Sequence, residues 1–181
     1  MQYAIELFFD EENENQIVQL AEHIAEAKLS TKWLEWKMRP HITLACFNDV
    51  DEEKSTEMLK VFAETHYTMP AYLGSVGMFT DTKTIFAAPI MTSSMYDVQR
   101  ELHKAFREFD TKGWEWYLPD RWVPHCGIAL LSEDAEENYY KACDLVLREF
   151  QKTSGEFLSV GLVKVSFPVQ EICTFDLKRK D

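Results

Sequence analysis

Short apolar runs alternate along the chain with segments of helical period. Tyr3 to Phe9 (YAIELFF) is an apolar run broken only by Glu6; it predicts a strand, ended by the acids Asp10 to Glu14. Ile17, Leu20, His23 with Ile24, and Ala27 recur at helical spacing, which predicts a helix over residues 13–28. A loop carrying Trp33 and Trp36 leads to the strand Ile42 to Phe47. Asp51 stands where a helix N-cap would, and Met58, Leu59 and Phe62 form the apolar face that follows. Strands are expected at Ala71 to Thr80 and Thr84 to Ile90, joined as a hairpin through Asp81, Thr82 and Lys83.

The second half runs in the same order. Met95, Val98, Leu102, Ala105, Phe106 and Phe109 line one side of a helix expected over 94–109. An aromatic loop (Trp114, Trp116, Tyr117, Trp122) then leads to a strand from Cys126 to Leu131. Acids from Glu133 to Glu137 suit the start of the next helix, and strands expected over 157–167 and 171–177 close the chain. The acidic runs Asp10 to Glu14, Asp51 to Glu53 and Glu133 to Glu137 read as solvated helix starts.

The repetition extends to individual residues. Arg39-Pro40-His41-Ile42-Thr43-Leu44-Ala45 aligns with Val123-Pro124-His125-Cys126-Gly127-Ile128-Ala129, with the histidines 84 positions apart. Ser75-Val76-Gly77 and Ser159-Val160-Gly161 are separated by 84 as well, and one offset shared by two matches argues for duplication. The expected fold class is α+β: two pseudo-symmetric lobes, each an antiparallel sheet with helices on its outer face, the motif strands lining a central cleft. Residues 1–181 would form one two-lobed domain of duplicated halves, about 1–90 and 83–181, allowing exchange of terminal strands.

Strand alternation puts His41 and Thr43 on one face, with Arg39 if the strand starts that early, and turns Ile42 and Leu44 to the core. His125 and Gly127 share a face in the second half, joined by Arg121 if the strand reaches back through Pro124, while Cys126 and Ile128 turn away. A pseudo-twofold relation would set the two imidazoles facing each other across the cleft. A proline before each histidine fits the first residue of a strand, which needs no ladder donor.

Charge narrows the partners. Nineteen Lys and Arg against 31 Asp and Glu give a formal net charge of −12, which opposes a long nucleic-acid groove but leaves room for a local cationic spot. With 46% hydrophobic residues, the chain can bury a real core. The four cysteines (Cys46, Cys126, Cys143, Cys173) are scattered without a CxxC pair and read as small buried hydrophobes. The opening segment resembles neither a signal h-region nor a membrane span, so a cytoplasmic protein with reduced thiols is expected. No zinc-ligand spacing, P-loop or dinucleotide-binding glycine motif occurs, and His125 and Cys126 lie on opposite strand faces, unable to form a dyad.

The duplicated Pro-His motif, with His-x-Thr in Pro40-His41-Ile42-Thr43-Leu44-Ala45, resembles the 2H phosphoesterase superfamily, which includes the 2′-5′ RNA ligase-like proteins and cyclic phosphodiesterases. The resemblance spans essentially the whole chain. It implies a two-lobed fold and metal-free, cofactor-free chemistry on 2′,3′-cyclic phosphates or 2′-5′ phosphodiesters. The implied substrate is a small cyclic nucleotide or an RNA 3′ end, handled by a monomer or weak dimer without a membrane. The two motif histidines, His41 and His125, would be the acid–base pair, and Thr43 would hold the phosphate. Imidazole suits this work because it can hold either protonation state near neutral pH.

The second motif departs from the pattern, because Gly127 stands where a hydroxyl is expected. A backbone N–H or water there could replace the hydroxyl, the space could admit a bulkier substrate, or the protein could bind without turnover. Arg39 and Arg121 are candidate phosphate contacts or solvated surface residues. Trp122 and the other tryptophans before each motif are candidates for base stacking or for lobe packing. His23, His66 and His103 have no repeated partner and read as structural.

Overall fold

The computed structural model describes residues 2–179, apart from the side chains at 110 and 111. Seven antiparallel strands form one sheet among these residues: β1 (Tyr3–Phe9), β2 (His41–Phe47), β3 (Met69–Phe79), β4 (Thr84–Pro89), β5 (Cys126–Leu130), β6 (Thr153–Lys164) and β7 (Gln170–Asp176). Helices α1 (Glu11–Glu26), α2 (Lys32–Glu35), α3 (Glu52–Thr65), α4 (Ser93–Ala105) and α5 (Glu136–Glu149) complete an α+β fold. No helix among the described residues is long and apolar enough to cross a membrane.

The order β2-β1-β6-β3-β4-β5 runs through a seam between the halves. Met69–Leu73 of β3 pairs with Thr153–Phe157 of β6, and at its centre Ala71 faces Gly155, the residue 84 positions on. A pairing centred on a residue and its own repeat equivalent is what a pseudo-twofold axis requires. Beyond the seam, β6 continues between β1 and β7, while β3 continues beside β4. The N-terminal strand thus completes the sheet of the C-terminal half, and the expected two sheets are one, joined at the seam.

The repeated Ser-Val-Gly tripeptides have a packing reason. A Cβ on Gly77 would lie 2.4 Å from the Phe86 ring, and one on Gly161 would lie 2.5 Å from the Phe8 ring. Each glycine lets an aromatic ring cross its strand. A bulge in β2 frees the Leu44 carbonyl, which faces Gln99 Nε2 and His103 Nε2 of α4, each at 3.3 Å. Ile42, Leu44, Cys126 and Ile128 are fully buried, as alternation requires.

The helices differ from expectation at their ends. Asp10 caps α1 by accepting from the Asn13 N–H at 3.0 Å, and its other oxygen accepts from the Glu156 N–H at 2.5 Å. This acid therefore ties α1 to β6 rather than facing solvent. Trp33 belongs to the short α2, and the helix expected over 94–109 stops at Ala105 and continues as a 3₁₀ segment, Arg107–Lys112.

Gly77→Ala and Gly161→Ala should each lower stability by about 1–3 kcal/mol in urea titration, because a ring must be displaced. Gly127→Ala, whose Cβ would meet nothing within 4 Å, should stay within about 0.5 kcal/mol of the parent protein.

Candidate active site

The two Pro-His motifs lead into the terminal strands, β2 starting at His41 and β5 immediately after His125. The two strands form no ladder with each other, yet they are brought together: the Cys126 thiol faces the backbone N–H of His41. Two indoles cross between the halves to hold them. Trp33 Nε1 donates to the Gly127 carbonyl and Trp122 Nε1 to the Thr43 carbonyl, both at 2.9 Å. Those acceptors are the equivalent third residues of the two motifs.

Each histidine is oriented in the same way. His41 Nδ1 lies 2.6 Å from the Arg39 carbonyl, and His125 Nδ1 lies 2.7 Å from the Val123 carbonyl. A carbonyl only accepts, so both Nδ1 atoms carry hydrogen and both Nε2 atoms are left for chemistry. The residue before each proline supplies that carbonyl, which gives the X-Pro-His sequence a local purpose.

The surroundings of the Nε2 atoms differ. Glu6 Oε1 is 3.3 Å from His41 Nε2, whereas His125 sits against Phe79 and Phe86, with ring centroids 4.8 and 5.4 Å away. Burial is the main cause that lowers both imidazole pKa values below the ordinary one, and a charge on His41 lowers that of His125 further. Burial also raises the Glu6 carboxyl to about 8, with Glu171 adding to the rise and Arg39 opposing it.

A cavity of about 60 Å³ opens beside His41, lined by Glu6, Phe8, Lys37, Arg39 and Glu171 among others. Arg39 lies over the Phe8 ring, 4.1 Å from its centroid, and its Nη2 is 2.8 Å from Glu14. Glu14 is therefore partnered, not a solvated helix-start acid. Thr43 pairs with Glu6 across the strands and shares the sheet face of His41. A larger open groove at the start of α1 is lined by Asp10, Glu11 and Glu12 and holds neither histidine.

The structure brings together His41, Thr43 and Arg39 on one side and His125 and Gly127 on the other. It does not bring in Arg121 or expose Trp122. β5 begins only at Cys126, so alternation does not carry back through Pro124; Arg121 Nη1 instead pairs with Glu115 at 2.5 Å. Trp122 is 8% exposed and packs in the core. His23 pairs with Glu149, His66 stacks on Phe62, and His103 faces the Leu44 carbonyl, all structural contacts. Buried Cys46 and Cys126 have thiol pKa values pushed up to about 12, chiefly by burial. Among the described residues no three His, Cys, Asp or Glu side chains cluster as a metal site.

Glu6 is the site residue that sequence reasoning missed. Its signal was a single acid inside an otherwise apolar strand, since a buried carboxyl is retained only beside a partner.

The 2′-5′ RNA ligase superfamily matches residues 9–180, and the chain belongs to it. This is the 2H phosphoesterase superfamily, and membership supports a phosphodiesterase or ligase-like function. Among solved structures, TT0787 of Thermus thermophilus has a TM-score of 0.69 at 14% identity, covering 100% of both chains. E. coli LigT in its apo form has a TM-score of 0.62 at 11% identity, covering 98% of this chain and 97% of that one. LigT complexed with 3′-AMP gives 0.57 at 12%, covering 98% of each chain. At these identities the likeness is one of fold. No curated protein sequence matches the chain.

Two-dimensional ¹⁵N NMR of the imidazoles checks the electrostatics. His41 and His125 should both show the Nδ1–H tautomer at pH 8. His125 should titrate below the ordinary value of about 6.5, and His23, raised by its hydrogen bond to Glu149, above it.

Proposed function

We propose that the chain is a metal-independent phosphodiesterase that opens a 2′,3′-cyclic phosphate or cleaves a 2′-5′ phosphodiester on a nucleotide or RNA end. The observation that carries this reading is the matched pair of imidazoles, one opening β2 and one immediately before β5, each with Nδ1 fixed by the carbonyl two residues back and Nε2 left for proton transfer. One Nε2 takes a proton from water as the water oxygen bonds phosphorus. The other imidazole protonates the ribose oxygen that leaves. Thr43 donates to a non-bridging oxygen as charge gathers there, and Arg39 and Lys37, which line the cavity beside His41, add positive charge.

In this reading Trp122 serves by holding the backbone of Thr43, and Arg121 stands outside the substrate contacts. The binding of 3′-AMP by LigT supports a small nucleotide as substrate. Gly127 is a permissive position, because its missing side chain leaves open space. The lack of a hydroxyl there favours a second reading, a module that binds a nucleotide or RNA end without turning it over.

Hydrolysis of 2′,3′-cyclic nucleotides and of a 2′-5′-linked dinucleotide, assayed with EDTA present, separates the two. His41→Ala and His125→Ala should each lower kcat by about 10²-fold or more. Turnover that survives both substitutions, or that EDTA abolishes, contradicts the mechanism; saturable binding without turnover supports the module. Gly127→Ser should hold or raise the rate on small cyclic substrates, since its side chain enters open space. A large loss in a folded variant would show that the space itself is needed.

A further inference from the structure

The strand register matches the two halves position by position. Gly77, Phe86 and Gly127 are neighbours across β3, β4 and β5; Gly161, Glu6 and Thr43 are neighbours across β6, β1 and β2. The outer members of these triplets are 84 positions apart, so Glu6 holds the place in one half that Phe86 holds in the other. At that place one histidine meets a phenyl ring and the other a carboxyl group.

The carboxyl has one nitrogen to meet. His41 Nδ1 is spent on the Arg39 carbonyl, so the 3.3 Å approach of Glu6 Oε1 is to Nε2. Two lone pairs do not rest at that distance unopposed, so the pair keeps a proton, on the carboxyl or on the ring. Glu6 is 6% exposed, which disfavours a free carboxylate. The titratable groups around it are His41 and Cys46 on β2, Lys37 and Arg39 before that strand, Glu171 on β7, Cys126 on β5 and Tyr117 of a second 3₁₀ turn, Glu115–Tyr117. Of these, Glu171 opposes its ionisation and Arg39 favours it. His125 has only Phe79 and Phe86 around its ring as aromatic neighbours, and no carboxyl pairs with it among the described residues.

We propose that Glu6 is a positioning residue that keeps a proton against His41 Nε2, so that His41 enters the reaction as the donor to the leaving oxygen and His125 as the base toward water. This rests on the two-histidine reading above and adds the direction of proton flow. His125 Nε2 accepts a proton from the attacking water, whose oxygen bonds phosphorus. The bond from phosphorus to the leaving ribose oxygen breaks, its electron pair stays on that oxygen, and the proton kept by Glu6 and His41 passes to it from Nε2. The pair ends as a neutral imidazole beside a carboxylate, and His125 ends as imidazolium; exchange with solvent resets both.

Glu6→Gln keeps the shape of the side chain and removes its acidic proton. With a 2′,3′-cyclic nucleotide, kcat at pH 7 should fall about tenfold or more while KM stays within about twofold, and Glu6→Asp should recover part of the rate. The basic limb of the pH–rate profile should move down by more than one unit, from the carboxyl near about 8 to an imidazole below its ordinary value. A basic limb left in place, with kcat within about twofold, overturns the proposal. ¹⁵N titration of His41 needs no substrate: in Glu6→Gln its response near pH 8 should vanish. If it persists in a variant whose melting temperature shows it folded, the proton-keeping role is wrong whatever the activity. If it vanishes while the parent protein turns over no substrate, the role of Glu6 stands and the phosphodiesterase reading fails.

Discussion

Everything at the site depends on five residue pairs between Met69–Leu73 and Thr153–Phe157. Antiparallel pairing fixes register tightly, since a slip of one residue would turn every side chain to the other face. Here the register centres on Ala71 and Gly155, so each half is placed as the rotated image of the other. β2 and β5 then become the two ends of one sheet, and the Trp33 and Trp122 indoles bind each end to the opposite half. The seam and those two hydrogen bonds set β2 and β5 against each other, and with them the two Pro-His motifs.

In the proposed mechanism, the departures from that symmetry carry the chemistry. A reaction that takes one proton and gives another needs its two imidazoles in opposite protonation states, and unlike surroundings decide which holds the proton. The backbone treats the two imidazoles alike, each held through Nδ1 by a carbonyl. The side chains do not. Glu6 replaces a phenyl ring and Thr43 replaces Gly127 at matched positions, so one half is polar where the other is apolar or empty. Electrostatic differentiation is achieved with very few substitutions on a repeated frame.

Much of this was legible in the chain. Seven short apolar runs gave the strands, because runs of that length bounded by turn residues and acids suit strand pairing better than helix, and the shared offset of 84 pointed to duplication. His41, Thr43 and His125 stood out because a motif repeated with its flanks is hard to produce by packing alone. Other features depended on partners distant in sequence. Asp10 and Glu14 look like solvated helix-start acids until β6 and Arg39 arrive beside them. Arg121 was tied to His125 by an alternation that β5, starting at Cys126, does not extend to. Trp122 precedes its motif in sequence but spends its N–H on the other half. Glu6 lies 35 positions before His41, and no local period joins them; the antiparallel pairing of β1 with β2 does.

The most direct measurement of the central claim is a crystal structure of the protein with 3′-AMP bound. The account predicts phosphate oxygens within hydrogen-bond reach, about 2.6–3.2 Å, of both His41 Nε2 and His125 Nε2. A phosphate that contacts one imidazole while the other stays sealed against Phe79 and Phe86, or that binds on a different face of the sheet, would contradict it.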